Sequence, residues 1–166
     1  TQCKRCQHVC PMNIDISQLV FLARGNWPQE KKPSGIVRSC QAIRSTDSTS
    51  AMGLPPEDFI FVVEDVLEEV RESQSGFENL QAPMDKEGAF FFVNQNSREP
   101  MNEPDEMVPL WKIFDMVGAD WTYSSKGWAA ENYCLFLADN EKWEKNVRIK
   151  AEAVDALGCK VWLNTE

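Results

Sequence analysis

Apolar positions recur at helical spacing along most of the chain, and in the second half a short apolar run bounded by turn residues stands out at 89–93. Ile16, Leu19, Val20 and Ala23 mark one face of a helix over 15–24, stopped by Gly25-Asn26-Trp27-Pro28. A polar, lysine-bearing loop follows at 29–34, then a short helix over 36–43 and a loop over 45–50. The strongest helical pattern opens at Pro55-Pro56-Glu57-Asp58, where proline and acids suit the unbonded N–H groups and the positive end of the dipole. Phe59, Val62, Val63, Val66, Leu67 and Val70 then form its buried face, and Glu64, Glu68, Glu69 and Glu72 its solvated one.

Gly76, Pro83 and Gly88 make 76–88 read as a linker. Beyond it, 89–93 (Ala-Phe-Phe-Phe-Val) predicts a strand buried on both faces. Helix over 106–117, strand over 119–123, helix over 128–137, helix over 140–157 and strand over 161–163 follow. The long last helix should bury Trp143, Val147, Ala151, Val154 and Leu157. This order implies an α+β or α/β chain: an N-terminal α-helical module over 1–75, the linker, and a small α/β domain over 89–166 with a largely parallel sheet. Trp111, Trp143, Trp162, Cys134 and Cys159 are expected to pack in the core. A first residue Thr1 and a strand running up to Glu166 raise the expectation that this is a segment of a longer chain.

The 166 residues carry a net charge of −9, and 43 % are hydrophobic, a balance that excludes a disordered chain. The acidity also argues against nucleic acid as a partner, since phosphate recognition needs a basic surface. The charge is divided: residues 1–50 carry a net +4 and residues 51–166 a net −13. A basic head of this kind suits contact with something negative.

Chemistry concentrates in Cys3-Lys4-Arg5-Cys6-Gln7-His8-Val9-Cys10-Pro11. Two thiols separated by two residues and a third followed by proline match the end of the bacterial ferredoxin run C-x2-C-x2-C-x3-C-P, whose first cysteine would fall just before Thr1. Zinc is the competing reading, but a zinc pair is usually answered downstream by a second pair of ligands, and only Cys40 answers here. Free thiols or a disulfide form the third. An anionic thiolate cluster would give Lys4, Arg5 and Arg38 a use as tuning charges. His8 reads as a solvent-facing loop residue. Three thiols within eight residues suit a reducing cytoplasm.

The cysteine loop with Cys10-Pro11-Met12-Asn13-Ile14-Asp15-Ile16 resembles the ferredoxin-type part of heterodisulfide-reductase-like iron–sulfur oxidoreductases, which join such a module to cysteine-rich CCG domains. The likeness continues through Met107-Val108-Pro109-Leu110-Trp111, Gly118-Ala119-Asp120-Trp121, Ser124-Ser125-Lys126-Gly127-Trp128 and 153–163. It implies a ferredoxin-like helical module, a CCG-like domain and an electron-transfer subunit relaying single electrons through a [4Fe–4S] cluster. Its partners would be a flavoprotein, a cytochrome or a quinone-reactive membrane subunit at the cytoplasmic face. Two arrangements of ligands stay open. Cys3, Cys6 and Cys10 share a cluster with Cys40, or Cys3 and Cys6 share it with Cys40 and a cysteine upstream. Two departures stand out: no second full cysteine run, and Ser124-Ser125-Lys126-Gly127 where CCG domains bring paired cysteines. A different class of function, a catalytic oxidoreductase, would place substrate near Ser125, Lys126 and Trp128, with Glu131 and Lys126 as acid and base.

Overall fold

The computed structural model describes residues 3–45, 49–131 and 133–165. Helices α1 (Arg5–Val9), α2 (Ile16–Gly25), α3 (Ser34–Ser45) and α4 (Pro56–Ser73) come first, with a 3-10 turn at Gln29–Lys31. Of the loop expected over 45–50, residues 46–48 lie outside the described ones. The second half runs β1 (Phe91–Asn94), α5 (Arg98–Asn102), a 3-10 turn at Pro104–Met107, α6 (Val108–Met116), β2 (Trp121–Thr122), α7 (Tyr133–Phe136), α8 (Asn140–Leu157) and β3 (Val161–Asn164). Among the described residues no helix is long and apolar enough to cross a membrane.

The three strands form one parallel sheet in the order β2-β1-β3. Phe91 sits beside Trp121 on one side and Val161 on the other, and Asn94 reaches Asn164. A parallel neighbour cannot be reached through a tight turn, so each connection passes through helices. The mixed helix-and-strand fold with its small parallel sheet is therefore as the apolar runs imply. β1 is the strand without a solvent face: Phe92, Val93 and Asn94 are buried. Edge strand β3 is half-exposed instead, so Trp162 is only partly buried, its indole N–H donating to Asn94 Oδ1.

α4 forms for the expected reasons, with Pro56 at its start and Glu57 and Asp58 in the first turn. Its buried face, Phe59, Val63, Val66, Leu67 and Val70, joins Met107, Trp111, Trp121, Tyr123 and Trp128 in a single core. Phe59 lies flat on Trp128, ring centroids 4.0 Å apart and planes within 4°. The buried Trp111 Nε1 donates to Tyr123 Oη at 2.9 Å, and that hydroxyl donates to Gln95 Oε1 at 2.6 Å. Burial pushes the Tyr123 hydroxyl well above its ordinary pKa, which keeps it a neutral donor.

Four local expectations change. Helix α4, expected in the N-terminal module, turns its buried face to the core beside the sheet. The stretch 76–88 is an ordered strap: Leu80 is buried, Met84 bridges to Tyr123, and the Gly88 N–H donates to Leu157 O at 2.7 Å. Residues 128–130 are extended rather than helical, because Gln95 N–H donates to Trp128 O and Ala130 N–H to Gln95 O, both at 2.7 Å. That pairing continues the sheet past β1 and leaves only a short helix, α7. Finally, α8 is rotated from its apolar stripe: Asn146 and Lys150 are buried while Trp143 is 39 % exposed. Asn146 turns inward to donate to Thr49 O, and Gly127 would place a Cβ 3.1 Å from that of Ala153, so the helix rests on the 127 turn.

Because Phe59 joins α4 to the 128 segment, Phe59→Ala should cost about 3–5 kcal/mol in urea unfolding. A loss below about 1 kcal/mol would show that the stacked pair does not hold the two together.

Candidate metal centre

α1 is one turn of helix with a cysteine before, within and after it. Cys3 precedes it, Cys6 lies inside it, and Cys10 is its C-terminal cap, with its own N–H donating to Gln7 O at 3.1 Å. Lys4 opens the turn in the left-handed region, φ 58° and ψ 8°, a conformation that costs a side-chain-bearing residue about 1–2 kcal/mol. Asn13, φ 53°, takes the same region after Pro11, which an asparagine tolerates better. The two left-handed residues fold 3–14 into a tight hook rather than a continuous helix.

At the end of the hook the backbone amides of Ile14 and Met12, with a smaller part from Asn13, act on the Cys10 thiol. These donors, Ile14 foremost, hold its pKa below that of an ordinary thiol. They form the amide cradle of the hook, in which the Asn13 N–H donates to Cys10 O at 3.0 Å. Asp15 anchors the exit: it caps α2 by accepting from Gln18 N–H at 3.0 Å, and Lys4 Nζ lies 3.4 Å from its other oxygen. Lys4 is thus tied to a carboxylate, while Arg5, Arg38 and His8 are exposed, His8 as expected for a loop residue.

Cys3 and Cys6 are exposed and Cys10 is half-buried, and none of the six cysteines is in a disulfide. Among the described residues no three His, Cys, Asp or Glu side chains are gathered as a metal's ligand set. Cys40 is not with the loop. It is fully buried in a small cluster with Ala51, Cys134 and Leu137, where α3 meets α7. The Cys40 thiol donates to the Cys134 sulfur; that bond and burial keep Cys40 protonated, and the same bond lowers the pKa of Cys134. Cys134 is a core residue, as expected, and Cys159 is half-buried.

At the other candidate site, Ser124 Oγ accepts from Lys126 N–H and Gly127 N–H, both at 3.3 Å, and Asp85 accepts from Ser125 N–H at 2.9 Å. A shallow hollow of about 210 Å³ lies against Asp85, Ser124, Ser125, Lys126 and the side of α8. Trp128 does not line it; its ring is wholly buried against Phe59. The serines therefore shape a turn. The feature hidden from side-chain reading is the amide cradle, made by backbone groups, for which Pro11 and Asn13 were the available signals.

No family model, curated protein or solved structure matches the chain.

The cradle has a measurable signature. In the metal-free chain, alkylation of Cys10 by iodoacetamide should reach half its limiting rate below the ~8.5 of an ordinary thiol, because the thiolate is present above its lowered pKa. Peptide-resolved rates against pH read this directly, and a half-point at or above the ordinary value would contradict the cradle.

Proposed function

We propose that the hook of residues 3–14 holds a [4Fe–4S] cluster through Cys3, Cys6 and Cys10, and that the chain is an electron-transfer component of a heterodisulfide-reductase-like oxidoreductase. The observation that carries this reading is the hook itself, a single helical turn with Cys3 before it, Cys6 within it and Cys10 as its C-terminal cap. Hydrogen bonds to thiolate sulfur stabilise the anionic ligand and raise the potential of a cluster bound to it. Soft thiolates in the spacing C-x2-C-x3-C-P suit iron–sulfur better than a hard-oxygen metal. The hook supplies three thiolates, and Cys40 is engaged with Cys134 instead.

The burial pattern agrees with such a role. Residues 3–39 contain no buried side chain, whereas Cys40 onward supplies the whole core. A segment of this kind gains little from apolar packing, so ligand bonds would supply the ordering free energy. When bound, the cluster supplies one-electron transfer. The protein's part is to donate to its sulfurs through 12–14, to set positive charge near it through Arg5, and to present the loop to a partner. The second half, with serines where CCG domains bring cysteines, acts in this reading as scaffold and docking surface. Its partners are other redox subunits: a flavoprotein, a cytochrome or a quinone-reactive membrane subunit.

Anaerobic reconstitution should give about four irons with matching sulfide per chain and a broad visible absorbance. Cys6→Ser should lose them, and Cys134→Ser should keep them. A colourless protein with one zinc, or equal loss at both positions, would overturn the assignment.

A further inference from the structure

Cys40 and Cys134 are the two fully buried cysteines among the described residues, brought from opposite halves of the chain into one contact. Both stand in one small apolar cluster with Ala51 and Leu137, where α3 packs on α7. Cys40 sits in α3, which continues the N-terminal helices, and Cys134 in α7, which leads into α8 and the sheet. Ile36, Val37 and Tyr133 pack around the cluster, and the ion pair of Lys142 with Asp139 borders it. A single cysteine in such a place is a small hydrophobe. Two in one buried cluster, on helices from the two halves, can also form a covalent bond.

We infer that Cys40 and Cys134 are a redox couple, a dithiol that peroxide oxidises to a disulfide latching α3 to α7. The step balances with hydrogen peroxide as the oxidant. One sulfur attacks a peroxide oxygen, the O–O bond breaks, and the thiol's proton leaves with the departing oxygen as water, giving a sulfenic acid. The second sulfur then attacks the first, the S–O bond breaks, and the second water leaves with the remaining thiol's proton. Two thiols lose two electrons, and the peroxide gains them. Hydrogen peroxide is small and uncharged, which suits an apolar pocket closed to bulky disulfide oxidants. The bond would fix the position of the α3 end of the N-terminal segment against the α/β layer. Its closure depends on these two sulfurs alone and not on iron in the loop.

The test uses the full chain, reduced and then treated with hydrogen peroxide, with remaining thiols blocked before proteolysis and tandem mass spectrometry. The expected product is a cross-linked peptide pair joining Cys40 to Cys134, lighter by two hydrogens than the reduced pair and released by dithiothreitol. It should form in the metal-free chain as in the iron-loaded one, which separates this result from the fate of the cluster. Cys134→Ala, which keeps the site apolar, should abolish the cross-link. Recovery of Cys40 and Cys134 in wild type as blocked thiols while the loop cysteines oxidise would overturn the inference. So would a cross-link from either one to Cys3, Cys6 or Cys10.

Discussion

A stretch of chain that buries no side chain must be ordered by something other than apolar packing. α1 and α2 are in that position: they contain no buried residue, and Val9, Met12, Leu19 and Leu22 are exposed. Fixing each residue's backbone costs about 1–2 kcal/mol. Helix propensity in elements of five and ten residues cannot offset that cost. What the segment does have is a single turn with a thiol before, within and after it, and two left-handed residues that hold the hook. Metal–thiolate bonds are the interaction these features suit, and their formation would double as folding free energy.

The remainder of the chain is ordered by the opposite means. β1 lies between two parallel neighbours, and beyond its end Gln95 continues the pairing to Trp128 and Ala130. α4 supplies the broad apolar face, with Phe59 against Trp128, and α6 adds Trp111, which reaches Gln95 through Tyr123. The junction between the halves is the small cluster around Cys40 and Cys134. There an N-terminal helix finally meets buried surface, so a change in those sulfurs would be felt on both sides.

Much of this was legible in the sequence, and the misreadings have physical causes. The pattern from Phe59 to Val70 specified α4 because a 3.6-residue period repeated over several turns has few competing explanations. The run at 89–93 located the central strand for a related reason. Residues 128–130 were misread because tertiary hydrogen bonds to Gln95 override local helical spacing. The inward face of α8 was misread because Asn146, a polar residue, has a buried acceptor at Thr49 that no pattern along the helix reveals. At the loop, spacing pointed to the three thiols. The amide cradle and the partnership of Cys40 with Cys134 depend on backbone geometry and on contacts distant in sequence.

Iron K-edge X-ray absorption on the anaerobically reconstituted chain tests the central claim most directly, because it reads the atoms around the metal rather than its amount. A cluster held by the hook gives a first shell of sulfur alone, with iron–iron scattering behind it. A shell of oxygen or nitrogen without iron–iron scattering would contradict a thiolate-bound cluster.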